Sequence, residues 1–234
     1  MAVRRGGGRP GEGMAGGGWN KPLPAVRLRL RWVAKSSMIA GLTGGVGCGK
    51  STVARALEMR GFKRIDSDQL VRERVLTDPA VLAALRARFG DEVLAMGPAG
   101  DVGVNRPALA KRVFGDDAER LWLEDLTHPR VFALWQEILA TDPTARWVVE
   151  VPLLFEKGLE NWFDFTVCVA CAPDQQLVRL EQRGLPRVLA GQRISKQLPL
   201  ARKIELSDFV LWNEGTPAFL EAQVDRLADA LAVA

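Results

Sequence analysis

Eight consecutive residues, Gly44-Gly45-Val46-Gly47-Cys48-Gly49-Lys50-Ser51, with Thr52 next, fit the pattern G-x-x-x-x-G-K-[ST] without a gap. Glycines let successive backbone N–H groups converge on one concavity that no Cβ obstructs, which is the shape a phosphate group needs. A helix beginning at the loop adds its free amides and the positive end of its dipole. Lys50 has the reach for β- and γ-phosphates, and the Ser51 hydroxyl can complete the shell of a Mg²⁺ ion. The competing reading is a glycine turn with no ligand. The flanks decide against it, because the apolar run Met38–Leu42 reads as a strand and Ser51–Met59 as an amphipathic helix.

A second group follows at Ile65-Asp66-Ser67-Asp68, at the end of the strand candidate Phe62–Asp66. Two carboxylates at the carboxyl end of a parallel strand face the place where open α/β sheets bind ligands. There one of them can accept a proton from an acceptor hydroxyl or hold a metal-bound water. The plainer alternative is that Asp68 caps the next helix. Glu150, after Trp147-Val148-Val149, suits a carboxylate that holds water on Mg²⁺ or contacts substrate. The base-reading N-K-x-D motif of a GTPase is absent, since Asn20-Lys21 continues Pro-Leu, and so is an L-S-G-G-Q signature. Cys48 would sit at a helix N-terminus near Lys50, where a thiol pKa falls, so sensitivity to oxidation is expected. Cys168 and Cys171 are read as packing residues, on opposite faces if the strand extends through both. With one histidine in the chain, no zinc grouping is expected.

The elements that must position these groups alternate strand with helix. Short, fully apolar runs at Met38–Leu42, Phe62–Asp66, Trp147–Val151, Phe165–Ala170 and Phe209–Trp212 suit a five-stranded parallel sheet covered on both faces. Pro217–Ala232 reads as a closing amphipathic helix. Residues 69–90 and 106–140 have helical spacing, and Gly97–Asn105 between them reads as a loop. Helix-only stretches do not alternate with strands, so they are placed as insertions, a larger one near 70–145 and a smaller one near 181–205. The expected fold is α/β, in three α/β/α layers.

The chain has 234 residues, 47% hydrophobic and 26% charged, the balance of a globular protein. No window is apolar enough for a membrane span, and three cysteines cannot make a disulfide framework, which favours a reducing compartment. The net charge of +4 is uneven. Residues 1–37 carry eight basic side chains and one acid, whereas the remainder holds 24 basic and 27 acidic residues. The basic character belongs to the amino-terminal stretch, and the body gives no reason to expect nucleic-acid binding. With eight glycines in residues 1–20, residues 1–37 are expected to be a disordered, dispensable extension of a domain starting at Met38.

From Met38 nearly to the end, the sequence resembles the dephospho-CoA kinases. The resemblance rests on Leu42-Thr43 with the glycine loop, Ile65-Asp66-Ser67-Asp68, and Arg106 with Leu109 and Phe114. It continues through Leu126-Thr127-His128-Pro129, Val151-Pro152-Leu153-Leu154-Phe155-Glu156, and Arg193 with Gln197. It implies transfer of the ATP γ-phosphoryl group to the 3′-hydroxyl of dephospho-CoA, with Mg²⁺, in the cytoplasm. It also implies a P-loop NTPase fold with a nucleotide core (38–69 and 146–234), a helical CoA-binding insertion (70–145) and a helical lid (181–205).

By the same resemblance Asp68 is the catalytic base, with Lys50 and Arg179 beside the phosphoryl group. ATP is held by Gly45, Val46, Gly47, Cys48, Gly49, Lys50, Ser51, Thr52 and Arg183, and the metal by Ser51. Thr43, Asp66, Arg106, His128, Pro152 and Leu153 are placed at the acceptor substrate. The partners implied are ATP and dephospho-CoA, with neither nucleic acid nor membrane, in a monomer or weak homo-oligomer. Plainer readings stand beside these: Arg179 and Arg183 as a solvated helix face, Arg106 as a local cap, His128-Pro129 as a helix-ending turn. Cys48 departs from the family, which commonly has Ser or Ala there. The rival functions are another small-molecule P-loop kinase, resembling those of nucleoside monophosphates, and a nucleic-acid-stimulated ATPase.

Overall fold

A computed structural model describes residues 38–97, 102–113 and 116–232. The expected extension at 1–37, Phe114 and part of the Gly97–Asn105 loop lie outside the described residues.

Five strands form one parallel sheet: β1 (Met38–Gly44), β2 (Phe62–Asp66), β5 (Arg146–Glu150), β6 (Phe165–Ala170) and β7 (Phe209–Trp212), in the order β2-β5-β1-β6-β7. Strand β1 is central, so the loop leaving it emerges between β5 and β6, where the winding of the sheet reverses. The apolar runs divide between two cores by the alternation of side chains in a strand. Val148, with Ala40, Leu42 and Val167, packs on one face against α1 (Lys50–Glu58) and α9 (Pro217–Ala232). Trp147 and Val149 point the other way, into a core shared with the inserted helices.

Helix α9 shows why the closing segment folds as it does. Leu220, Val224, Leu227 and Leu231 recur at three- and four-residue intervals and are all buried, while the Thr216 hydroxyl accepts a hydrogen bond from Phe219 N at 3.3 Å. On the opposite face lie α2 (Ser67–Leu70), which continues as a π-helical turn over Val71–Val75, then α3 (Pro79–Phe89), α4 (Arg106–Val113) and α5 (Asp117–Ala140). Phe132, Trp135, Trp162 and Phe163 pack edge and face in their midst, and truncating a buried ring such as Trp135 costs about 3–5 kcal/mol. After β6 come α6 (Pro173–Gln182), α7 (Arg187–Ser195) and α8 (Leu200–Leu206), of which α8 packs on β1 and β6.

Two local expectations are corrected. The expected Gly97–Asn105 loop contains strand β4 (Val102–Val104), which pairs antiparallel with β3 (Leu94–Met96) just before it, and three-residue strands are too short to show a period. His128-Pro129 ends nothing, because α5 runs through both. Strand β6 ends at Ala170 as expected, with Cys171 just beyond it, and both Cys168 and Cys171 are buried as packing residues.

The candidate active site at the sheet's carboxyl rim

The glycine loop runs from the end of β1 into α1, and its two motif glycines are irreplaceable for separate reasons. A Cβ on Gly44 would meet the Val169 carbonyl oxygen at 2.1 Å, so only glycine lets β1 pass β6 there. Gly49 is the N-cap of α1 at φ 95°, in the left-handed region, and a Cβ on it would meet Asn213 Nδ2 at 2.3 Å. Asn213, just past β7, donates that amide to the Cys48 carbonyl at 2.9 Å. Val46 is gripped from both sides: its N–H donates to Gln197 Oε1 at 2.9 Å, and its carbonyl accepts from Gln176 Nε2 at 2.8 Å. The loop is thus held in shape by side chains from three later elements.

Lys50, the first residue of α1, folds back and donates to the carbonyls of Gly44 and Gly45 at 3.2 and 3.1 Å. Burial lowers its pKa, and the nearby Lys203 pushes the same way against the carboxylates of Glu150 and Asp68. Ser51 Oγ donates to Glu150 Oε2 at 3.0 Å, and Arg64 Nε donates to Glu150 Oε1 at 2.6 Å. Glu150 is nearly buried at 5% exposure, so Arg64 is what makes its charge tolerable there. Arg64 also pairs with Asp66 at 3.1 Å.

The two aspartates divide their roles. Asp66, not Asp68, caps α2, accepting from Gln69 N at 3.0 Å. That frees the Asp68 carboxylate, which stands exposed at the rim. Restricted hydration and then the Asp66 charge raise its pKa above the usual aspartate value, while Lys50, Arg72 and Arg106 pull it down. Arg72 was not foreseen. It lies one helical turn after Asp68, a spacing that could have drawn notice.

The other expected residues are placed as follows. Thr43 is fully buried, and its hydroxyl donates to the Pro152 carbonyl at 3.3 Å. Pro152 and the exposed Leu153 follow directly after β5 and Val151. Arg179 Nη2 donates to the Asn213 carbonyl at 2.7 Å, beside the glycine loop, and Arg183 is exposed at the end of α6. Thr52 is exposed on α1. His128, half-buried on α5, is tilted against Phe132, and burial lowers its pKa.

One buried pair was unforeseen. Lys203 of α8 is fully buried, with Nζ 2.8 Å from the Pro152 carbonyl and 2.8 Å from Glu156 Oε1. Glu156 also accepts from Leu198 N at 2.9 Å. The segment after β5 and the segment leading into α8 are thereby locked together. A lysine on the apolar face of a short helix was the signal available for it.

The sequence profile of the dephospho-CoA kinases matches residues 38–218. A protein of Thermosynechococcus vestitus named dephospho-CoA kinase is 40% identical over 80% of this chain and 91% of its own. A crystal structure from Thermus thermophilus is 32% identical, covering 83% of this chain and 98% of that one, with a TM-score of 0.72. Dephospho-CoA kinase from Campylobacter jejuni, 22% identical, shares the fold with a TM-score of 0.63 over 84% of this chain and 98% of its own.

Proposed function

The chain belongs to the dephospho-CoA kinase family, and from that premise we propose that it transfers the γ-phosphoryl group of ATP to the 3′-hydroxyl of dephospho-CoA. One observation supports this reading above the others. The glycine loop, Lys50, Ser51, Glu150 and the uncapped carboxylate of Asp68 meet at one rim of a parallel sheet. A phosphate donor and a proton acceptor belong on either side of such a rim.

In this account the amides from Gly45 to Thr52 cradle the triphosphate, and Lys50 balances charge on its outer oxygens. Asp68 accepts the proton of the acceptor hydroxyl as the oxygen attacks phosphorus. Arg179 and Arg183 serve the nucleotide side. Asp66, Arg106, His128, Pro152 and Leu153 line the acceptor side, with Thr43 acting through Pro152. Within the stretch 181–205, the part before Leu198 closes as a lid that excludes water, while α8, packed on β1 and β6 and held through Lys203, stays fixed at its end.

Mg²⁺ fits the donor set. Among the described residues no three His, Cys, Asp or Glu side chains form a metal cage. Mg²⁺ does not require one, since it takes phosphate oxygens and water together with one or two protein ligands. Ser51 Oγ and the Glu150 carboxylate bonded to it are hard oxygen donors of that kind. Ser51 would hold the ion and Glu150 the water around it. When bound, the ion neutralises charge on the phosphate oxygens.

The reading places the enzyme in the cytoplasm as a monomer or weak homo-oligomer, without nucleic acid or membrane. Among the described residues no helix is long and apolar enough to cross a membrane. A chain beginning at Met38 keeps full turnover, as a side-by-side rate assay would read. The substrate assignment is tested with ATP, Mg²⁺ and a panel of dephospho-CoA, AMP, UMP and shikimate. Dephospho-CoA should have by far the highest kcat/KM, and a nucleoside monophosphate in first place would refute the assignment.

The pH profile tests the base. Asp68 must be ionised to accept a proton, and its raised pKa moves the acid limb of kcat/KM above the ordinary aspartate range. Asp66→Asn removes a repelling charge, lowers the Asp68 pKa and shifts that limb to lower pH, whatever it does to the plateau. An unmoved limb would mean that another group titrates there.

A further inference from the structure

We infer that Cys48 and Cys171 are an oxidisable thiol pair whose disulfide disables the phosphate loop. Their sulfurs are 3.4 Å apart although the residues are 123 positions apart in sequence, one inside the glycine loop and the other just beyond β6. Both are buried, at 0% and 1% exposure, so the contact is fixed by packing. The Cys171 thiol donates to the Cys48 sulfur. That bond, then Lys50, lowers the Cys48 pKa against the effect of burial, and it raises that of Cys171. Cys168, three residues earlier, serves as an internal contrast: it is equally buried, its thiol is pushed up to about 11, and its hydrogen-bond partner is Ser207.

The chemistry requires a hydroperoxide, which meets the covered Cys48 sulfur when the glycine loop opens. The Cys48 thiolate attacks one peroxide oxygen, the O–O bond breaks, and Cys48 becomes a sulfenic acid while the other oxygen leaves and is protonated. Cys171 sulfur then attacks the Cys48 sulfur, the S–S bond forms, the S–O bond breaks, and hydroxide leaves as water with the Cys171 proton. Two thiols are oxidised by two electrons, and hydrogen peroxide is reduced to two waters.

The consequence follows from where the Cys48 sulfur sits. A disulfide requires about 2.05 Å between sulfurs, so the pair must close by more than an ångström. The Cys48 sulfur underlies the loop, at 2.9 Å from where a Cβ of Gly45 would be, and the Cys48 carbonyl is tied to Asn213. Drawing that sulfur toward β6 displaces the amides between Gly45 and Lys50. The loss of function rests on the reading that these amides hold a triphosphate, whereas the formation of the link does not.

The test exposes the reduced full chain to hydrogen peroxide, then measures MgATP binding by calorimetry and maps unreduced peptides by mass spectrometry. A peptide joining Cys48 to Cys171, lighter by two hydrogens, should accumulate as MgATP affinity falls about tenfold or more. Dithiothreitol should reverse both, and Cys168→Ser should behave like the parent. Cys171→Ala should bind MgATP normally, yield no linked peptide and keep its affinity through the same exposure. Absence of the linked peptide from the parent would overturn the inference. So would a link that leaves affinity unchanged, or equal loss in Cys171→Ala. Failure of the reduced protein to bind MgATP would count against the kinase reading instead, because the peptide map reads the link without nucleotide.

Discussion

Asp68→Asn should lower kcat by about 10²- to 10⁴-fold, the usual worth of a positioned general base, while leaving MgATP affinity nearly unchanged. The two parts of that result have separate causes. The Asp68 carboxylate is uncapped, since Asp66 takes the capping bond from Gln69, so replacing it breaks no structural contact of the helix start. An amide of the same shape keeps the rim filled but cannot accept the proton. The nucleotide is held by the loop and Lys50, to which Asp68 contributes only a distant charge. Rapid-mix turnover and calorimetry on the same sample read both quantities. Near-normal turnover would remove Asp68 from the role of base, and a matching collapse in MgATP affinity would make it a nucleotide ligand.

Lys50→Ala should differ in pattern, with both binding and turnover reduced. Lys50 Nζ sits over the loop's own carbonyls, at 3.1 and 3.2 Å, where it can swing to a phosphate oxygen without leaving the concavity. Its charge serves the bound triphosphate and still more the charge that builds during transfer. Removing such a donor costs about 10²–10³ in kcat, and the loss of ground-state attraction adds weaker MgATP binding. Burial already disfavours the ammonium form and Lys203 opposes it further, while Glu150 and Asp68 favour it. Calorimetry and turnover together separate the outcomes: unchanged affinity with unchanged kcat would place Lys50 outside the phosphate site.

Much of the rim was legible because its signals are local. The glycine loop announces itself by spacing, the five strands by short apolar runs, and α9 by a periodic stripe ending on Leu231. Strand limits at Phe62–Asp66, Phe165–Ala170 and Phe209–Trp212 match the sequence reading, with Gly61, Asp164 and Asp208 marking their starts. What escaped depends on neighbours brought together from afar. Arg64 on an edge strand looks like a solvated residue until β5 places Glu150 beside it. Lys203 looks like a surface lysine until α8 lays it over the Pro152 carbonyl.

The antiparallel pair of β3 and β4 has strands of three residues, too few for a pattern. Pro129 suggested a break because a helical proline forfeits a hydrogen bond. The flanking Thr127 and Arg130 side chains, which donate to the carbonyls of Leu123 and Leu126 at 2.8 and 3.0 Å, and the packing of Val131, Phe132 and Trp135 outweigh it.

The most direct measurement follows the phosphorus itself. The full chain is incubated with dephospho-CoA, Mg²⁺ and ATP labelled at the γ-phosphate, and the products are separated and sequenced by mass fragmentation. The account predicts one labelled phosphoryl group on the ribose 3′-oxygen of the acceptor, with ADP formed in equal amount. Label appearing only as inorganic phosphate, or at any other position of the acceptor, would contradict it.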